Sequence, residues 1–279
     1  MQTSLAFFVR GKSYLVSGEP YESLGAYAKA LQISLNEQEI EIALNAINEI
    51  ANFNQVSGYE WVRRFLLIGL ATKFSTSDAG KAAFEQVKHL VSKSYQPFKE
   101  PVVVVAGGCS ADVEGQMQTY KGFILKIFRD FRGCIISGGT ISGVSGLIGE
   151  VQQKYPSAVR TVGYVPKTKA ASVDNRYLEI RFTEGEKYSP VELLQYWIDI
   201  IASGVEPANV KLLGVNGGRI SAIEYRVALA LGSNVAVVKD SGMEAEKLFS
   251  DSNWNTLKNL TLLPNDYGAA WTFIQTIKK

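Results

Sequence analysis

The stretch VVVVAGGCS, residues 102–110, decides the fold class of this chain. Its first five residues form an apolar, largely β-branched run, which is typical of a strand buried on both faces of a parallel sheet. The glycines that follow predict a tight turn at the carboxyl end of that strand. Open α/β sheets bind ligands beyond the carboxyl ends of their strands. The stretch therefore predicts both a fold and the place of a site.

Strand and helix patterns alternate from this stretch to the end of the chain. Predicted strands cover residues 134–137, 160–165, 177–183, 211–215, 234–239 and 260–263, and predicted helices cover 116–131, 144–154, 190–202, 221–231, 243–249 and 269–277. Strands that alternate with helices are joined by right-handed crossovers. We therefore predict an α/β fold with a Rossmann-like, doubly wound parallel sheet.

The chain before this stretch has a helical pattern instead. Apolar residues recur at spacings of three and four in 21–31 and in 40–51, which predicts helices with one apolar face. Pro97 and Pro101 favour extended chain and mark a boundary. We predict an all-α helical region over 1–96 and an α/β domain over 97–279. The helices would either pack on the second domain or recognise a partner protein.

Composition argues against several classes of function. The formal net charge is +2, and the 29 Lys and Arg residues are spread along the chain, so nothing indicates nucleic acid or an anionic membrane. Two cysteines, Cys109 and Cys134, and one histidine, His89, are too few for a zinc site, and we expect neither metal nor cofactor. The start of the chain lacks a signal-peptide pattern and no apolar run reaches the ~20 residues of a membrane span, so we expect a cytoplasmic protein.

Three glycine-rich turns follow predicted strands and would lie at one end of the sheet. Glycine lets backbone N–H groups face an anion without a Cβ in the way, and the helix that follows adds its N-terminal dipole. One such turn indicates only a tight connection, but three together predict a single site for phosphate and ribose. The residues expected to bind the ligand are Gly107, Gly108, Cys109, Ser110, Gly138, Gly139, Thr140, Ser142, Gly143, Gly217, Gly218, Arg219, Ser221 and Glu224, with Lys167 at the end of another strand.

These turns do not match the common nucleotide-binding fingerprints. The pattern G-x-G-x-x-G is absent after the first strand, where Gly107 and Gly108 are followed only by Gly115. No G-x-x-x-x-G-K-[ST] sequence occurs either. The sequence therefore indicates neither an ordinary dinucleotide domain nor a P-loop ATPase.

The turns do resemble those of the SLOG superfamily. The run GGTISGVSGLIGEV (138–151) is similar to its GG[GT] turn and helix start, GYVPK (163–167) to the next strand end, and NGGRISAIE (216–224) to its P-G-G-x-G-T-x-x-E motif. The resemblance covers residues 101 to about 265. The resemblance is stronger to the prokaryotic relatives of the nucleotide-sensing domain of TRPM channels than to the Lonely Guy phosphoribohydrolases.

This resemblance implies a SLOG-type fold and a sensor of ADP-ribose or a cyclic variant, in prokaryotic antiviral or stress signalling. It also implies a homo-oligomer, or a partner protein met through the helical region. That region has a tetratricopeptide-like stretch, GEPYESLGAYAKALQIS (18–34). The alternative is a phosphoribohydrolase that cleaves nucleoside 5′-monophosphates, and we expect a sensor rather than an enzyme.

The third turn departs from the family motif, with Asn216 in place of proline and Ile220 in place of glycine. Arg219 lies inside the motif, where the family enzymes do not place their catalytic arginine, and it suits a bidentate contact to phosphate. Glu224 keeps the family carboxylate and has three interpretations. It accepts hydrogen bonds from ribose hydroxyls, it takes part in catalysis, or it caps a helix together with Ser221.

Overall fold

The computed structural model describes residues 3–50, 55–92, 96–109 and 111–275. Its helices are α1 (Ser4–Val16), α2 (Pro20–Ile33), α3 (Glu37–Asn48), α4 (Tyr59–Lys73), α5 (Asp78–Lys88), α6 (Glu114–Thr119), α7 (Lys121–Ile127), α8 (Gly143–Lys154), α9 (Pro190–Ala202), α10 (Arg219–Ala230), α11 (Met243–Ser250) and α12 (Tyr267–Gln275). Its strands are β1 (Val102–Gly107), β2 (Gly133–Ser137), β3 (Val159–Pro166), β4 (Glu179–Thr183), β5 (Val210–Val215), β6 (Asn234–Val238) and β7 (Leu260–Leu263).

The helical region begins its helices at local capping signals. The side chains of Thr3, Asn36 and Ser77 each accept a hydrogen bond from an amide in the first turn of α1, α3 and α5. Pro20 occupies the first position of α2, where its missing N–H is not needed. One continuous apolar cluster contains side chains from α1 to α5, from α9 and α10, and from one face of the sheet. The helical region and the sheet therefore share a hydrophobic core.

The strands form one parallel seven-stranded sheet in the order β4-β3-β2-β1-β5-β6-β7. From β1 the chain adds strands on one side up to β4, then returns to place β5 against β1 and continues to β7. Helices cover both faces, which explains why Val102 to Val105 are all buried. A second apolar cluster, with side chains from α7, α8 and α12, fills the other face. The predicted α/β fold with a doubly wound parallel sheet is confirmed.

Most predicted elements differ from the structure by one or two residues at their ends, and in two of them a turn causes the difference. The helix expected over 116–131 is divided into α6 and α7 at Tyr120, whose amide donates to the carbonyl of Met117 rather than one residue further back. The strand expected from residue 177 begins at Glu179, because the amide of Tyr177 closes a turn on the carbonyl of Asp174. Both differences arise from turns that bury an aromatic ring, since Tyr120 and Tyr177 are both buried.

The two halves of the sheet meet between β1 and β5, where the direction of winding reverses. Connections leave these neighbours toward opposite sides, which opens a crevice at their carboxyl ends. The predicted glycine-rich turns follow β1, β2 and β5 and so lie at this end of the sheet. In the part of the chain that the structure describes, no helix is long and apolar enough to cross a membrane.

Candidate functional site

A cavity of about 450 Å³ opens at this end of the sheet. Its floor is formed by the ends of β1 and β2, and its walls by the first turns of α8 and α10, by β3 and by α9. Ligand pockets in proteins usually measure ~300–1,000 Å³, so the space suits a nucleoside-sized molecule. The lining residues are Val105, Ala106, Gly107, Cys109, Ser137, Gly138, Thr140, Ser142, Val144, Tyr164, Ser172, Tyr188, Ser189, Glu192, Leu193, Tyr196, Ile220, Ser221 and Glu224.

Some of the predicted site residues line this cavity and others do not. Those that line it are Gly107, Cys109, Gly138, Thr140, Ser142, Ser221 and Glu224. Gly108, Gly139, Gly143, Gly217 and Gly218 belong to the same turns without lining the cavity. Lys167 lines a separate groove along β4, and Arg219 contacts the helical region. Ser110 lies outside the described residues.

Close contacts between the turns require several of the glycines. A Cβ on Gly107 would lie 2.1 Å from the carbonyl oxygen of Val215, and one on Gly143 would lie 2.1 Å from that of Gly108. Gly143 also has a φ of 59°, a left-handed conformation that side chains disfavour. These glycines therefore allow the turns to approach one another, a role distinct from the anion contact that the sequence suggested.

The amino terminus of α8 is satisfied by groups of the chain itself. The amide of Gly143 donates to Oε2 of Glu114 at 2.6 Å, and the amide of Val144 donates to the carbonyl of Gly108 at 3.0 Å. The thiol of Cys109 lies against the next amides of this turn, and its desolvation raises its pKa to about 11. A neutral thiol and an internal carboxylate therefore occupy the position where the sequence predicted a phosphate.

The amino terminus of α10 is free by contrast. Gly218 is its N-cap and provides no side-chain hydrogen bond. Among the described residues, the amides of Arg219, Ile220 and Ser221 have no hydrogen-bond partner. Unpaired amides and the helix dipole make such a terminus favourable for an anion.

The capping interpretation of Glu224 is wrong. A capping box places its acidic residue at the third position of the helix, but α10 starts at Arg219, so Glu224 lies one turn too late. Its Oε1 accepts a hydrogen bond of 3.0 Å from the hydroxyl of Tyr196 instead. Burial in the cavity wall raises the pKa of Glu224 to about 7. The group therefore exchanges between acid and carboxylate near neutral pH.

A second carboxyl group in the cavity, that of Glu192, is absent from the sequence predictions. It belongs to a capping box at the start of α9, in which the amide of Ser189 donates to its Oε2 at 2.8 Å. Its Oε1 accepts a separate hydrogen bond from the hydroxyl of Thr183 in β4. Burial raises its pKa. The S-P-x-E pattern of residues 189–192 predicts a helix start but says nothing of a cavity.

Three tyrosines of the cavity wall were also missed. Tyr164 comes from β3, Tyr188 from the loop after β4, and Tyr196 from α9, and none of these elements carries a glycine-rich turn. The hydroxyl of Tyr188 donates to the carbonyl of Gly138 at 3.2 Å. Periodicity assigned such residues only to a buried face, and it could not show that this face borders a cavity.

The wall is connected to the start of the linker between the helical region and the sheet. Tyr164 donates to Oδ2 of Asp199 at 2.6 Å, and Arg181 donates to the same atom at 2.8 Å. Asp199 is fully buried and also accepts bonds of 3.0 and 2.7 Å from the amide and hydroxyl of Ser92. One buried carboxylate therefore joins the cavity wall to the chain just after α5.

Comparison of the chain with protein-family models and with curated proteins finds no match. The structure shows an α/β protein with helices on both faces of a parallel seven-stranded sheet. A ligand-sized cavity lies at the carboxyl ends of its strands.

Proposed function

We propose that this protein is a sensor whose SLOG-type domain binds a nucleotide-derived ligand, such as ADP-ribose or a cyclic variant, in this cavity. One observation carries the proposal. Residues that lie far apart in the sequence, in the turns after β1 and β2 and in the first two turns of α10, meet around a single space of about 450 Å³. That space lies where doubly wound sheets bind nucleotides.

The cavity provides distinct surroundings for the parts of such a ligand. Glu224 is placed to accept hydrogen bonds from ribose hydroxyls, and the rings of Tyr188 and Tyr196 provide apolar walls for a base. A phosphate finds free amides at the start of α10. The ligand would then contact the helix that packs directly on α2.

That packing supports a signalling role rather than mere storage of a nucleotide, and the resemblance to prokaryotic SLOG proteins suggests antiviral or stress responses. Gly25 of α2 faces Ile223 of α10, since a Cβ on Gly25 would lie 3.6 Å from the Ile223 side chain. A ligand that shifts α10 would shift α2 with it, because packed helices move together. The moved surface would meet a partner protein or a second copy of the chain.

Isothermal titration calorimetry with ADP-ribose, cyclic ADP-ribose, AMP and adenosine tests the proposal. At least one should bind, and Glu224→Gln should weaken that binding about tenfold or more, because a hydrogen bond to a charged group contributes ~1.5–3 kcal/mol. Glu206→Gln is the matched control, since Glu206 is exposed at the other end of the sheet. Absence of binding across the four compounds, and of any small molecule co-purifying by mass spectrometry, would refute the proposal.

A second candidate is the phosphoribohydrolase, which the pKa of Glu224 favours. A carboxyl group that titrates at about 7 is suited to donate or accept a proton at neutral pH. Incubation with AMP and its N6-substituted analogues should then release the free base, and Glu224→Gln should abolish the release. A wild-type protein that binds AMP without releasing adenine excludes this activity.

A further inference from the structure

We propose that Glu22 of the helical region is an internal competitor for the ligand phosphate, held on Arg219 at the mouth of the cavity. The inference rests on the proposed function and concerns its selectivity. Arg219 Nη2 contacts both carboxylate oxygens of Glu22, at 2.9 and 2.8 Å. The guanidinium carbon also lies 4.3 Å from the ring centroid of Tyr21. The arginine that the sequence assigned to phosphate is therefore bound to a carboxylate already.

This contact borders the cavity. Arg219 is the first residue of α10, and the next two residues, Ile220 and Ser221, line the space. The pKa of Tyr21 is raised chiefly by burial and also by the carboxyl group of Glu192, another lining residue. Tyr21 thus lies within electrostatic range of both Arg219 and the cavity wall, and a phosphate at the start of α10 would be within reach of Arg219.

The charges of the cavity make this position the favourable one for a phosphate. Its described lining includes the carboxyl groups of Glu192 and Glu224 but no lysine or arginine. A dianion in the interior would face these groups without a compensating cation. The sugar and base suit the interior, and the phosphate suits the mouth, where α10 begins with free amides and Arg219 is its first residue.

Glu22 and a phosphate cannot both occupy the contact surface of Arg219. The side chains of Arg219 and Glu22 are 61% and 40% exposed, and exposed ion pairs of this kind are weak and readily exchanged. A phosphate carries more negative charge and can accept two parallel N–H···O bonds from a guanidinium, whereas Glu22 is contacted by Nη2 alone. Its arrival would expel Glu22 and remove this polar contact between the first turn of α2 and α10, while the apolar packing of the two helices remains.

The test compares AMP with adenosine, which differ only in the phosphate. Calorimetry uses wild type, Glu22→Gln, Arg219→Gln and, as the matched control, Glu19→Gln, an exposed glutamate one turn earlier. We expect Glu22→Gln to raise the affinity for AMP about fivefold and Arg219→Gln to lower it about tenfold, on the scale of surface and charge-assisted contacts. Adenosine affinity should stay within about twofold in every variant, and Glu19→Gln should resemble wild type for both compounds.

Hydrogen exchange gives an independent readout of the displacement. AMP should speed exchange at the amides of Ser23 and Leu24 in wild type, since the amide of Ser23 donates to the carbonyl of Glu19 at the start of α2. Adenosine should not, and Glu22→Gln should show fast exchange there without ligand. If adenosine and AMP bind but Glu22→Gln leaves their affinity ratio unchanged, the competitor role is overturned while the proposed function stands. If neither compound nor ADP-ribose binds wild type or Glu22→Gln, both are overturned.

Discussion

The hydroxyl of Tyr196 donates a 3.0 Å hydrogen bond to Oε1 of Glu224. Tyr196 belongs to α9 and Glu224 to α10, so this bond joins two helices across the cavity wall. Burial raises the pKa of Glu224, and the bond acts in the opposite direction because it stabilises the carboxylate. The effect of burial is the larger of the two, and the pKa of Glu224 is about 7.

This balance predicts a pH-dependent stability. The folded chain keeps the Glu224 proton up to about pH 7, whereas the unfolded chain releases it at the ordinary pKa of a glutamate, ~4.3. The free energy of unfolding should therefore decrease between these pH values by about 3 kcal/mol. Urea denaturation at pH 5 and pH 8 should show that Glu224→Gln removes this part of the dependence, while Glu206→Gln keeps it. An unchanged slope in Glu224→Gln would contradict the buried carboxyl.

Tyr196→Phe should raise the pKa of Glu224 further. The substitution removes the donor that favours the carboxylate and leaves the burial in place. A carbon-13 titration of the glutamate carboxyl groups measures this directly. Tyr188→Phe is the control, because the Tyr188 hydroxyl donates to the carbonyl of Gly138 and not to Glu224. A pKa that falls in Tyr196→Phe would show that the hydroxyl does not donate to this group.

Gly143→Ala should destabilise the protein by about 3 kcal/mol, the scale of backbone strain combined with overpacking. Its φ is 59°, and the added Cβ would lie 2.1 Å from the carbonyl oxygen of Gly108. Gly122→Ala is the matched control, because Gly122 lies inside α7 and a Cβ added there would meet no atom within 4 Å, so alanine should stabilise that helix by about 1 kcal/mol. Thermal unfolding of the two variants compares them, and similar shifts would contradict the close approach of the turns.

Asp199→Asn should cost about 3 kcal/mol or more, because a neutral amide replaces the buried carboxylate that accepts hydrogen bonds from Arg181 and Tyr164. Asp130→Asn, at an exposed position, should change the free energy of unfolding by less than ~0.5 kcal/mol. Chemical denaturation provides both values. Equal stability of the two variants would mean that the contact from the cavity wall to the linker contributes nothing.

Local patterns were enough to predict the α/β fold and the end of the sheet at which the cavity lies. The apolar run of Val102 to Val105, the alternation of periods after it, and the turns at Gly107, Gly138 and Gly217 are local signals. Each of these signals depends on the backbone conformation or the burial of neighbouring residues, so it can be recognised without knowledge of long-range contacts.

Which side chains face the cavity, and which already have a partner, depended on the packing of the folded chain. Arg219 meets Glu22 across a separation of 197 residues, and Glu114 reaches the amide of Gly143 across 29. Tyr164 and Glu192 enter the wall from elements whose own patterns predict only a buried face or a helix start. Such contacts depend on how helices and strands pack on one another, and the periodicity of a segment carries no information about the element it will meet.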